Sequence, residues 1–143
     1  MAEVERKIIF WGTPLFAIPS LKAMIDAGLV RAVVTRPDKP QGRGHSTILP
    51  SPVKEIGLAS GLPVLQPEKL DDAFCAELRA HGPATFLVVA YGKIIPDAVL
   101  DLSELPAINV HPSLLPDLRG PSPIQTALLR GYTQTGITHM QLD

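Results

Sequence analysis

A chain of 143 residues with a net charge of −1 is long enough to bury one domain's core, and too nearly neutral to bind polyanions over its whole surface. Apolar residues make up 45% and charged residues 19%, which excludes an intrinsically disordered chain. The one cysteine, Cys75, excludes an internal disulfide and fits a reducing compartment.

Met1 to Lys7 carries two glutamates and passes directly into apolar sequence. It has neither the apolar stretch of a secretion signal nor the Arg/Ser-rich, acid-poor character of a transit peptide. No apolar run approaches the roughly 20 residues of a membrane helix. A cytoplasmic, bacterial protein without a membrane partner is expected, and a monomer.

Lys7 to Gly12 is an apolar run closed by glycine, the pattern of a strand buried on both faces of a parallel sheet. Thr13 is placed to cap a following helix, with Pro14 and Pro19 near its start, Leu21, Met24 and Ile25 at helical spacing and Gly28 at its end. Leu29 to Thr35 reads as a second strand. Arg36 to Pro50, with three prolines and two glycines, reads as a long functional loop. Ser51-Pro52 opens a helix that Gly61 closes, and Pro63 to Leu65 is a short strand. Asp71 to Ala80 is a helix with Phe74, Cys75 and Leu78 inward. Ala84 to Ala90 is another buried strand, and Ala107 to His111 a short one. Ser122-Pro123-Ile124-Gln125 has the form of a capping box, so a helix starts there and Gly131 ends it. Ile137 to Leu142 alternates as one more strand.

Strand and helix alternate throughout, which predicts an α/β fold with a doubly wound, mostly parallel sheet. Sites in such sheets form beyond the carboxyl ends of the strands. Three segments are thereby nominated: after Gly12, after Ala90 and around His111.

Gly12-Thr13-Pro14 is a weak phosphate cradle. A dinucleotide fingerprint needs three glycines, and Pro14 removes an N–H donor, so a tight strand-to-helix turn is the preferred reading. Asn109 and His111 are two apart on a strand and face the same way. An amide can donate to a developing oxyanion, and an imidazole can donate or carry a proton near pH 7. That pair suits acyl transfer through a tetrahedral intermediate, although N-x-H alone is a common pattern. The next segment, Pro112 to Gly120, places Leu114 and Leu115 on a proline-stiffened loop, where they could line a pocket for a flat apolar ligand or plug against the core. His139 reads as a sheet histidine and Cys75 as core packing. No metal-ligand spacing or nucleophile–base pair is present in the sequence.

The stretch N-V-H-P-S-L-L-P-D-L-R-G-P-S-P-I-Q, from Asn109 to Gln125, closely resembles the signature of the folate-dependent formyltransferases. The resemblance runs from the G-T-P turn after the first strand to the last residue. It implies a Rossmann-like formyltransferase fold, 10-formyltetrahydrofolate as formyl donor and no metal. It implies that Asn109 and His111 are catalytic. It implies that Tyr91, Gly92, Lys93, Ile94 and Ile95, with Ser113, Leu114, Leu115 and Pro116, shape the folate pocket.

Arg36 to Gly44 is similar to the R-P-D-K-P-x-G-R-G loop of those family members that formylate methionyl-initiator tRNA; the members acting on glycinamide ribonucleotide have no such loop in this position. Between Arg36 and Lys54 four basic side chains (Arg36, Lys39, Arg43, Lys54) face one acid, Asp38, a local charge of +3. A basic loop beside an active site can grip phosphates. The resemblance implies that Arg36, Lys39 and Arg43 meet the acceptor end of the tRNA, with Arg43 foremost. The family's third catalytic residue, an aspartate, is expected a few residues beyond Asp143, and its C-terminal tRNA-binding domain is not in these 143 residues. The chain alone is therefore expected to be inactive, residues 1–143 forming an incomplete catalytic domain. A formyltransferase acting on a small amine such as an amino sugar nucleotide, or a non-catalytic folate-binding fragment, are the alternatives.

Overall fold

A computed structural model describes residues 7–41, 44 and 47–142. The first strand, β1 (Ile8–Gly12), is the centre of the molecule. Its side chains alternate between two cores. Ile9 and Trp11 point to one face with Phe74, Leu78, Phe86 and Val99; Phe10 points to the other with Leu21, Val33 and Val53. Burial on both faces is why the run carries no polar residue. Each fully buried side chain of this size stabilises the fold by about 1.5–3 kcal/mol.

After β1 a single 3-10 turn, Leu15–Ala17, leads into α1 (Ile18–Asp26), and Gly28 follows that helix with φ 73°. Then come β2 (Val30–Val34), β3 (Lys39–Gln41), β4 (Thr47–Leu49), α2 (Pro52–Ala59) and β5 (Val64–Leu65). The second half holds α3 (Asp72–Ala80), β6 (Thr85–Val89), α4 (Asp97–Leu100), β7 (Ile108–His111), α5 (Pro123–Leu129) and β8 (Thr138–Gln141). Two helix starts are capped by side chains: Ser51 accepts from Lys54 N at 3.1 Å, and Asp71 accepts from Phe74 N at 3.1 Å. Each such cap is worth about 1 kcal/mol.

The main sheet has the order β5-β2-β1-β6-β7-β8. All pairs are parallel except β7 with β8, which is antiparallel. From β1 the chain moves outward to β2 and β5 with α1 and α2 over one face. From β6 it moves the other way to β7 with α4 over the opposite face, where α3 also packs. Right-handed crossovers require this change of face when the direction reverses. A crevice therefore opens where β1 and β6 lie side by side, at their carboxyl ends.

The structure departs from the sequence expectations in four places. Arg36 to Pro50 is not wholly loop: β3 and β4 pair antiparallel, Lys39 opposite Leu49 and Gln41 opposite Thr47. Thr13 caps no helix, since the 3-10 turn has Pro14 before it and no side-chain cap. Ser122 makes no cap hydrogen bond either; α5 begins there on Pro123 alone. The one-turn α4 was not anticipated. Among the described residues no helix is long and apolar enough to cross a membrane.

Candidate active site

The crevice at the switch point is a cavity of about 940 Å³, a size suited to a ligand-binding site. Its floor is Val88 and Ala90 from the end of β6, and one wall is Thr13, Pro14 and Phe16 after β1. The hairpin side contributes Arg36, Pro37, Lys39, Leu49 and Ser51. The far wall is Asn109 to Pro112 with Gly120, Pro121 and Pro123 to Gln125. Tyr91 to Ile95 cross between them.

Asn109 and His111 both reach this cavity from β7, as their spacing of two requires. Asn109 is held between Val88 of β6 and Met140 of β8, and His111 sits opposite Thr138. His111 is only 8% exposed. Its Nε2 lies 2.9 Å from the Leu118 carbonyl. A carbonyl only accepts, so Nε2 carries the proton. In the neutral ring Nδ1 then keeps a free lone pair and can take a proton from an incoming amine. In the imidazolium the same nitrogen donates. Asn109 supplies an amide donor within the same wall.

The loop after β6 is tightly held. Ala90 has φ 55° and Gly92 φ 90°, both in the left-handed region. Below them the Tyr91 ring meets Trp11 edge-on, with centroids 5.2 Å apart, and Trp11 also meets Phe74 and Phe86. Tyr91 is 2% exposed, so it lines the cavity with little of its own surface. Ile95 is buried, whereas Ile94 stands at the tip, 89% exposed. Lys93 Nζ donates to the Glu68 carbonyl at 2.9 Å.

The Tyr91 hydroxyl and Trp11 Nε1 are buried without a hydrogen-bond partner among the described residues. Burial pushes the Tyr91 phenol above its ordinary value near 10, partly offset by the Arg36 charge. The folded chain therefore keeps this proton after the unfolded chain has released it. The resulting stability is fully present below the unfolded pKa and is lost as pH climbs above about 10. Thermal midpoints between about pH 9 and 11 should fall more steeply for the wild type than for Tyr91→Phe. Parallel profiles would rule this out.

The basic segment is less free than its composition suggests. Lys54 pairs with Asp38 at 2.8 Å, and Gln66 Nε2 donates to the same carboxylate at 2.8 Å. These two hydrogen bonds, the one from Lys54 first, hold the Asp38 carboxyl below its usual range. Arg36 Nη1 donates to the Gly92 carbonyl at 2.9 Å, and its Nε is buried with no partner among the described residues. Lys39, on β3, faces the cavity rim exposed. Arg43 lies outside the described residues.

Ser113, Leu114, Leu115 and Pro116 are not among the residues that line the cavity. Ser113 is fully buried and donates to the Asp117 carbonyl at 2.7 Å. Thr138 on β8 donates to the Ser113 carbonyl at 2.7 Å and accepts from Leu115 N at 3.1 Å. Leu114, 56% exposed, lies against Gly136. These bonds turn the segment toward β8, and the prolines that follow it, Pro121 and Pro123, take the wall instead. The residues that sequence reasoning did not nominate, Phe16, Leu49, Ile124 and Gln125, come from elements distant in sequence, and only strand order brings them together.

With this geometry in view, the match of residues 6–143 to the family described as Formyl transferase is decisive. The chain belongs to the formyl transferase family. It is 49% identical over 141 residues to a methionyl-tRNA formyltransferase of Pelobacter propionicus, covering 97% of this chain and 44% of that one. It is 51% identical over 140 residues to the methionyl-tRNA formyltransferase of Acidobacterium capsulatum, covering 96% and 45%. The chain thus spans less than half the length of these relatives. Its fold is that of two solved formyltransferases. Phosphoribosylglycinamide formyltransferase of Streptococcus pneumoniae superposes with TM-score 0.71 at 19% identity over 96% of this chain and 74% of that one. Glycinamide ribonucleotide transformylase 1 of Geobacillus kaustophilus does so with TM-score 0.71 at 22% identity over 99% and 76%.

Proposed function

We propose that this chain supplies the donor pocket and the Asn109–His111 pair of an enzyme that moves a formyl group from 10-formyltetrahydrofolate to the α-amino group of methionyl-initiator tRNA. The observation that carries this is the convergence of Asn109 and His111 on one cavity with Tyr91 to Ile95, in a chain about half identical to methionyl-tRNA formyltransferases.

The amine nitrogen attacks the formyl carbon and forms a new C–N bond. The carbonyl oxygen becomes an oxyanion, which Asn109 and the imidazolium of His111 stabilise by donating hydrogen bonds, worth several kcal/mol in a dry site. Collapse breaks the bond to N10, and the proton lost by the amine is returned to N10. His111 Nδ1 is the group suited to carry it, because Nε2 is engaged by Leu118. The folate lies along the cavity under the Tyr91–Ile95 loop. The acceptor end approaches over the hairpin, where Lys39 and Arg43 meet its phosphates. Translation initiation of this kind places the protein in the cytoplasm.

Joining the remaining segment of the Pelobacter propionicus relative after Asp143 gives a protein in which this can be tested. With 10-formyltetrahydrofolate it should formylate methionyl-initiator tRNA and leave an amino sugar nucleotide untouched. Formylation of the sugar without formylation of the tRNA would remove the tRNA reading.

A further inference from the structure

The loop that crosses the cavity is tied at two consecutive carbonyls. Thr13 Oγ1, at the exit of β1, donates to the Tyr91 carbonyl at 2.8 Å. Arg36 Nη1, at the exit of β2, donates to the Gly92 carbonyl at 2.9 Å. The two anchors touch each other, for Arg36 N donates to Thr13 Oγ1 at 3.4 Å. Arg36 is in turn held by its own carbonyl, which accepts from Gln66 Nε2 at 3.2 Å. That same Gln66 amide reaches Asp38, and Asp38 pairs with Lys54.

This arrangement runs against what an exposed arginine at the edge of a basic segment would do. A guanidinium gripping a polyanion, or simply solvated, keeps its donors available. Here one donor is spent on a backbone carbonyl 56 residues away, and Nε is buried with no partner among the described residues. A buried unmet donor costs about 1–3 kcal/mol, so the orientation is set by the loop and not by solvation. The loop has reason to need an anchor. Ala90 holds a left-handed torsion, which in a residue with a side chain persists only where surrounding contacts over-determine it. A side chain at Gly92 would bring its Cβ to 3.3 Å from Arg36 Cδ, so the arginine stem lies directly against the backbone it fixes.

We infer that Arg36 is a positioning residue for the donor side of the reaction: with Thr13 it clamps the Tyr91–Gly92 carbonyls and presets the cavity-crossing loop for the formyl-folate. This rests on the proposed donor-pocket reading and changes the part Arg36 plays in it, from a contact to the tRNA to a strut of the folate loop. Acceptor recognition by the segment is then left to Lys39 and Arg43.

The test uses the 143-residue chain and 5-formyltetrahydrofolate as a stable probe, titrated by calorimetry. Arg36→Met keeps the stem and removes the donors; Arg36→Lys keeps a charged donor. The Met variant should bind the probe roughly tenfold more weakly, the loss of one charge-assisted hydrogen bond, and the Lys variant within about threefold of wild type. Amide exchange of residues 92–95 should quicken in the Met variant while β1 and β6 stay protected and the melting midpoint holds. Wild-type affinity in the Met variant overturns the inference, as does equal loss in both variants with a lowered melting midpoint. So does a loss confined to binding of an acceptor-stem RNA ending in CCA, which returns Arg36 to the acceptor. Failure of the wild type itself to bind the probe sinks the donor-pocket reading, and the positioning role with it.

Discussion

In the joined protein, His111→Ala should lower single-turnover formylation by about 10²–10⁴-fold while 5-formyltetrahydrofolate still binds. The size follows from where the imidazole sits. His111 is almost wholly buried at the cavity wall, with Nε2 fixed on the Leu118 carbonyl, so its remaining nitrogen is held ready without the cost of ordering a free side chain. In the proposed mechanism alanine removes the oxyanion donor and the proton carrier in one change. The loop proposed to hold the folate, Tyr91 to Ile95, is anchored by Thr13 and Arg36 and not by His111, which is why donor affinity should survive. His111→Gln offers a separate check. A glutamine amide can still donate but cannot carry a proton near pH 7, so it should recover part of the oxyanion effect and none of the proton transfer. Turnover of His111→Ala within threefold of the wild type would remove His111 from the chemistry.

The sequence carried the parallel core clearly because burial on both faces leaves nothing polar in the strands. Ile8 to Trp11 and Phe86 to Val89 are legible for that reason. The Asn109–His111 pair was legible because a spacing of two on a strand determines which side chains share a face. What escaped depends on partners far along the chain. The Thr13 hydroxyl suits a helix cap by local rules, but the Tyr91 carbonyl, 78 residues away, takes it. The tie between the segment after His111 and β8 is of the same kind: Thr138, 25 residues on, hydrogen-bonds Ser113 and Leu115. The β3–β4 hairpin escaped because its described β4 residues are exposed and show no alternation. The four residues of α4 are too few to display a helical period. Charge counting over Arg36 to Lys54 could not show which cations are engaged: Lys54 pairs with Asp38, and Arg36 donates to the Gly92 carbonyl.

Gly12→Ala should destabilise the chain by about 3 kcal/mol and lower its melting midpoint by on the order of 10 °C. Gly12 does not have a positive φ, so alanine meets no torsional penalty and the whole effect is steric. The added Cβ would stand 2.7 Å from the Val89 carbonyl oxygen, 2.9 Å from Phe10 Cε1 and 3.0 Å from Ala17 Cβ. Two of these neighbours cannot yield cheaply. Val89 O is backbone of the strand paired directly opposite Gly12, and Phe10 is fully buried. Relief therefore requires β1 and β6 to part at their carboxyl ends, where the cavity opens. Thr13 moves with that separation, and its bond to the Tyr91 carbonyl lengthens. Donor affinity should drop together with stability, although residue 12 itself lines no part of the cavity. Ala17→Gly on top of Gly12→Ala removes only one of the three contacts, so it should recover little of either loss. If Gly12→Ala melts at the wild-type temperature, close approach is not what the glycine is there for. If stability falls while folate affinity is kept, the strand exits do not set the loop, and the clamp through Thr13 is not transmitting β1's position to it.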